Sequence, residues 1–151
     1  MDTFAAERSV RFSDCDPAGI VFFPQYLVML NGVVEEWFDT ALALRYADLI
    51  GPRRLGLPTV RLEVDFTAIS RHGDSLRWEL SLAHLGRSSF TLLHDVLGAD
   101  GVRLRARQVV VCTSLDTHRA QALPDDLRAA LQAYGARAGT PSAAVEPRRA
   151  P

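Results

Sequence analysis

Hydrophobic positions along this chain change period twice. From Phe4 to Phe12 they alternate, with Val10 and Phe12 on either side of Arg11, as in a short strand. From Pro24 the period is helical: Leu27, Leu30, Val34, Trp37, Phe38 and Ala41 recur at three- and four-residue steps, one apolar stripe of about five turns. Pro24 suits the first turn of a helix, where a missing N–H costs little. After Pro58 the period falls to two. Val60, Leu62, Val64, Phe66 and Ala68 alternate with polar residues, as do Leu76, Trp78, Leu80 and Leu82. Phe90, Leu92 and Val96 form a third run, and Val102, Leu104 and Ala106 alternate with Arg103, Arg105 and Arg107. Val109-Val110-Val111 then break the alternation, as a bulge or a strand buried on both faces would. His72-Gly73-Asp74, Gly86 and Ala99-Asp100-Gly101 read as the turns between these runs. A short amphipathic helix is expected from Pro124 to Tyr134.

The order is strand, long helix, four strands in succession, terminal helix. Short turns between the four strands predict an antiparallel meander. The long helix is the only element expected to cover the apolar face, so the sheet should curl around it. The fold class is α+β, a central helix wrapped by a curved antiparallel sheet of about five strands. One domain is expected over residues 1–138. Residues 139–151, rich in Ala, Pro and Arg with no aromatic residue, are expected to be a disordered tail.

Composition narrows the function. Of 151 residues, 17 are basic and 18 acidic, a net charge of −1, which argues against a nucleic-acid partner. Every basic residue is arginine, whose planar guanidinium suits phosphate or carboxylate. Cys15 and Cys112 make no disulfide framework, and no Cys/His spacing suggests a metal. The four histidines are scattered singly, with none expected near the start of the long helix. The first residues lack a signal-peptide layout, and no apolar run is long enough to span a bilayer, so a cytoplasmic protein without membrane partners is expected. Serine-hydrolase, phosphate-loop and dinucleotide motifs are absent.

Candidate chemistry concentrates in Asp14-Cys15-Asp16-Pro17-Ala18-Gly19-Ile20-Val21-Phe22-Phe23-Pro24. Two carboxylates stand in a loop that opens into the N-terminus of the long helix. Unpaired N–H groups there, with Phe23 the first choice, can stabilise an oxyanion. The apolar run Ile20 to Phe23 would keep the pocket dry. The structural alternative is that Asp14 or Asp16 caps the helix or braces a turn. Asn31 falls inside the apolar stripe, either bonded to a strand or facing a ligand, and Glu35 and Glu36 follow it, either a second catalytic carboxylate or, as expected, a solvated helix edge. Gly86-Arg87-Ser88-Ser89-Phe90 offers an arginine and two hydroxyls suited to phosphate. Arg103, Arg105 and Arg107 read as a solvated strand face.

The run from Arg11 to Val21, with Phe23-Pro24 and Tyr26, resembles the 4-hydroxybenzoyl-CoA thioesterase family of hotdog proteins, in the branch with an Asp-Cys-Asp-Pro-Ala-Gly-Ile-Val motif. The likeness extends over roughly Phe4 to Leu115, with the Gly73-Asp74 turn and Arg87-Ser88-Ser89-Phe90 also matching. It implies that Asp16 is the catalytic carboxylate, as nucleophile or general base, and that backbone N–H groups near Gly19 and Phe23 polarise the carbonyl. It implies an acyl pocket with Phe22, Tyr26, Asn31 and Pro58, and CoA phosphates near Arg87, Ser88 and Ser89. It also implies a homodimer or tetramer with sites shared between subunits, and no cofactor beyond the CoA of the substrate. Two departures bear on specificity. Asn31 stands where family members carry Asp or Glu, and Phe22 and Phe23 replace Trp and His. The resulting expectation is an acyl-CoA thioesterase acting on a benzoyl- or hydroxybenzoyl-type thioester. Alternatives are a thioesterase for short- or medium-chain acyl-CoA or acyl-carrier protein, a hotdog dehydratase or isomerase, and a non-catalytic acyl-CoA-binding module.

Overall fold

The computed structural model describes residues 3–138; the expected tail lies outside the described residues. Strand β1 runs Phe4–Ser9, followed by a 3-10 turn at Phe12–Asp14 and helix α1 at Phe23–Asp39. Helix α2 spans Tyr46–Ile50, β2 is Leu55–Gly56 and β3 is Thr59–Phe66. Then come β4 at Ser75–Leu85, β5 at Ser89–Gly98, β6 at Gly101–Val111, β7 at Thr113–Ser114 and α3 at Asp125–Ala138. The sequence expected β1 to continue to Phe12. It stops at Ser9 because the Arg11 N–H turns to donate to Asp14 Oδ2 at 2.9 Å, leaving Phe12 exposed.

The main sheet has five antiparallel strands in the order β1-β4-β5-β6-β3, with β2 and β7 forming a separate ribbon. Only β4-β5-β6 is a meander. The expected β3–β4 hairpin does not form; β3 lies at the far edge, against β6. The reason is the connection. Val10 N–H donates to Asp74 O, Gly73 N–H to Val10 O and Val21 N–H to Ser70 O, so the segment between β3 and β4 crosses the end of the sheet. The β3–β6 register also sets Glu63 opposite Arg107 and Asp65 opposite Arg105, favourable cross-strand pairs. The expected bulge belongs to β3: Thr59 faces Val110 and Arg61 faces Val109, so Val60 is the extra residue.

α1 buries Tyr26, Leu30, Val33, Val34, Trp37 and Phe38 at helical spacing against Leu76, Trp78, Leu80, Phe90, Leu92 and Val96 of the sheet. It does not cover the sheet alone, as the sequence suggested. α3 adds Leu127, Leu131 and Tyr134; the Tyr134 ring stands edge-on to Trp37 at 5.2 Å, and its hydroxyl donates to Leu80 O. At roughly 2 kcal/mol for each fully buried large side chain, this layer is a principal stabiliser. Among the described residues, no helix is long and apolar enough to cross a membrane.

Candidate active site

The loop from Arg11 to Phe22 is held by its own polar groups. Asp14 Oδ2 accepts from Arg11 N–H, and Asp16 Oδ1 accepts from Ala18 N–H at 2.8 Å, so both carboxylates brace turns, as the structural alternative anticipated. Neither caps α1: its N-cap is Phe22, with no side-chain bond. Asp16 therefore keeps its second oxygen unbonded among the described residues. Phe12, Cys15, Pro17, Gly19 and His72 join it around an open cleft of about 480 Å³. Desolvation and then the charges of Asp14 and Asp16 push the Cys15 thiol up, which disfavours its thiolate form.

The helix N-terminus narrows the expected oxyanion donors. Gly19 N–H donates to Asp16 O at 2.9 Å and is already committed; its φ of 76° is what the residue type serves. Phe22 N–H donates to Asp14 O, Gln25 N–H to Phe22 O, and Pro24 has no N–H. That leaves Phe23 N–H without a partner among the described residues.

The expected dry wall is incomplete in one chain. Val21 is buried, but Phe22 and Phe23 are 48% and 57% exposed. Phe23 meets Phe66 edge-on and the buried Tyr26 meets it tilted, with centroids 6.2 and 5.8 Å apart; Phe66 is itself half-exposed at the end of β3.

Two residues the sequence did not assign help to fix this loop. His72 N–H donates to Gly19 O at 3.2 Å, and its ring meets Phe12 edge-on, placing a histidine on the cleft after all. Its absence can therefore no longer be held against a dehydratase. Arg103, expected on a solvated face, is buried: Nη1 donates to Ile69 O at 2.7 Å and to Asp74 Oδ2 at 2.9 Å, and Nη2 to Asp100 Oδ1 at 2.6 Å. The Arg71 N–H and then Arg103 hold the Asp74 carboxyl below its ordinary range. Tyr26 O–H donates to Ser70 Oγ at 2.8 Å, tying this clamp to α1. A Cβ at Gly98 would meet the Arg103 guanidinium at 2.5 Å, so glycine makes room for it.

The remaining predicted residues lie elsewhere. Asn31 is exposed on the flank of the buried stripe, not inside it, and has no bond to a strand among the described residues. It borders a small cavity with Glu35, Tyr46, Leu57, Thr59 and Gln108; Pro58 sits between two of these. Arg87 and Ser88 lie in the β4–β5 turn and Ser89 opens β5; the Arg128 guanidinium donates to Gly86 O and Arg87 O of this turn. Arg128 had no sequence signal of its own. This turn is at the opposite end of β4 from Asp74, a strand of 11 residues, or about 35 Å. One chain thus separates Asp16 from Arg87.

Residues 10–131 match the family model described as the thioesterase-like superfamily. The chain belongs to that superfamily. This thioesterase is 30% identical over 133 residues to a 1,4-dihydroxy-2-naphthoyl-CoA hydrolase of Synechocystis, covering 87% of this chain and 96% of the relative. It is 28% identical over 123 residues to the 4-hydroxybenzoyl-CoA thioesterase of Pseudomonas sp. strain CBS-3, with 78% and 87% covered. Among solved structures, a gentisyl-coenzyme A thioesterase superposes with a TM-score of 0.77 at 25% identity, covering 85% of this chain and 99% of the other. These comparisons bear out the resemblance read from the Asp16 motif, the hotdog fold and the thioester-hydrolase class.

Proposed function

We propose that this thioesterase hydrolyses aromatic acyl-CoA to free acid and CoA, at sites each built from two copies of the chain. The observation that carries the reading is the free Asp16 oxygen in a cleft beside the N-terminus of α1, where the Phe23 N–H is unbonded. The thioester oxygen accepts from that N–H, and the positive end of the helix dipole stabilises the charge that develops. Asp16 either bonds the carbonyl carbon, forming an anhydride that water cleaves, or takes a proton from the attacking water. In both routes the C–S bond breaks, CoA leaves as thiolate, and water supplies the new oxygen of the acid. CoA enters as substrate, and no separate cofactor is needed.

The half-exposed rings of Phe22, Phe23 and Phe66 supply an apolar wall suited to an aromatic acyl group. The second copy enters through β3, whose outer edge is unpaired. Two β3 strands pairing antiparallel about a two-fold would set Thr59 of one copy beside Phe66 of the other. That brings the Pro58–Asn31 pocket and the Arg87-Ser88-Ser89 turn of one subunit toward Asp16 of its partner, with Arg87 at the CoA phosphates.

Thiol release across benzoyl-, hydroxybenzoyl-, aliphatic and carrier-protein thioesters tests the reading. The aromatic CoA thioesters are expected to turn over fastest. Asp16→Asn should lower kcat by at least about 100-fold while fold and CoA binding persist. Undiminished turnover would remove Asp16 from the mechanism. Tight acyl-CoA binding without thiol release would make the protein a binding module.

A further inference from the structure

A line of polar side chains that the hydrolysis does not use crosses the sheet from β4 to β3. Trp78 Nε1–H donates to His94 Nδ1 at 2.9 Å, His94 Nε2 lies 2.9 Å from Gln108 Oε1, and Gln108 Nε2 donates to Thr59 Oγ1 at 2.8 Å. The first three residues are at most 2% exposed. Chemistry fixes the polarity of the whole line. An indole N–H can only donate, so Nδ1 of His94 carries no proton and Nε2 carries it. That proton needs an acceptor, which turns the Gln108 carbonyl toward His94 and its NH₂ toward Thr59. Burial holds the His94 ring neutral, with its pKa lowered to about 4, so the direction persists at neutral pH.

Thr59 Oγ thus receives a hydrogen bond from inside the protein on one lone pair, and its own O–H is left free to donate elsewhere. It borders a cavity of about 110 Å³ whose facing wall carries Asn31 and Glu35. This is smaller than the roughly 150 Å³ void that takes a benzene. It has room for the edge and substituent of a ring.

Building on the thioesterase reading, we propose that Thr59 is a specificity residue that donates a hydrogen bond to an oxygen on the far side of the acyl group, with Trp78, His94 and Gln108 fixing it as a donor. A ring hydroxyl satisfies both walls: its oxygen accepts from Thr59, and its proton goes to the Glu35 carboxylate or the Asn31 amide oxygen. An unsubstituted ring leaves these groups unmatched, and a site built to bond a hydroxyl discriminates against the analogue lacking it.

Equilibrium binding of benzoyl-CoA, 3-hydroxybenzoyl-CoA and 4-hydroxybenzoyl-CoA to Asp16→Asn protein tests this without relying on turnover. The parent should prefer at least one hydroxylated thioester. Adding Thr59→Val should cut that preference about tenfold, the worth of one hydrogen bond, and Thr59→Ser should retain it. Gln108→Met, which leaves Thr59 in place but frees its hydroxyl to rotate, should also reduce the ratio; an unfolding midpoint confirms that each variant folds. No preference in the parent, a ratio indifferent to Thr59→Val, a serine that behaves like valine, or a ratio indifferent to Gln108→Met would each overturn the proposal. Thiol release by the wild type is followed in parallel. Its absence defeats the hydrolase reading while the binding ratios still decide on Thr59; indifferent ratios in an active enzyme defeat the Thr59 assignment alone.

Discussion

Asp16 divides its work between two oxygens. One is spent on the Ala18 N–H, which fixes the rotamer, and the other stays free in the cleft. A turn-bracing role and a catalytic one are therefore compatible, and the sequence could not separate them because both need the same carboxylate. Asn31 shows the opposite case. Its spacing from Leu27 and Val34 put it in the stripe, but the buried arc is centred on Leu30, Val33 and Trp37, and Asn31 falls to one side. Its amide is free to face a ligand. Asn31→Asp should change the order of kcat/KM among benzoyl-CoA and its 3- and 4-hydroxy forms, because a carboxylate accepts from a phenol but cannot donate. An unchanged order would leave Asn31 outside the acyl site.

At the scale of elements, α1 and the individual strands were legible because each has one dominant period over many residues. Their pairing was not. Whether β3 returns beside β4 or crosses to β6 depends on where residues 67–74 find partners, and Val21 and Val10 lie 49 to 64 residues away in sequence from the groups they bond. The same distance hid His72. Arg103 is the pin of this crossing, joining the 69–74 segment to the β5–β6 turn. Arg103→Ala should cost about 2–3 kcal/mol in urea unfolding, since it strands Asp74 and empties a buried site, and it should lower turnover by loosening the Asp16 loop. The β4-β5-β6 layer carries an acid sensitivity of its own. The folded chain holds His94 near pKa 4 by burial, whereas its ordinary value is 6.5. Between these values the unfolded chain binds a proton that the folded chain refuses. The contribution of His94 is therefore complete above pH 6.5 and is lost as pH falls toward 4, a loss on the order of 3 kcal/mol. Urea unfolding at pH 7.5 and 4.5 should show a smaller difference in His94→Gln than in the wild type. Asp74, held low by the Arg71 N–H and then Arg103, and Asp100, held low by Arg103, add losses only at more acid pH.

For the whole molecule, the separation of Asp16 and Arg87 along β4 makes a sharp demand. If each site takes Asp16 from one subunit and Arg87 from its partner, Asp16→Asn and Arg87→Ala chains should each fail at low substrate concentration, yet complement when mixed and refolded together. Random pairing gives half mixed dimers with one intact site in two, about a quarter of the wild-type rate. No recovery beyond the two parents would mean that each site lies within one chain. The motif around Asp16 disclosed the family, because a loop that must present a carboxylate at a helix start tolerates few sequences. It said nothing of the Trp78–His94–Gln108–Thr59 line, whose members come from four strands and meet only once the sheet has formed.

The unbonded donor at the start of α1 belongs to the main chain, while the side chain on the same residue is a half-exposed ring. In the mechanism proposed above, reactivity and selectivity at position 23 would therefore be inherited separately: any residue with an N–H would keep the first, and the ring could be exchanged to alter the second. Proline alone forfeits the donor without forfeiting the helix, since Phe22 already has the extended backbone that a following proline requires (φ −69°, ψ 122°). Phe23→Pro should leave the unfolding midpoint nearly unchanged and slow turnover by about 100-fold or more, whereas Phe23→Leu should shift only which acyl groups are accepted.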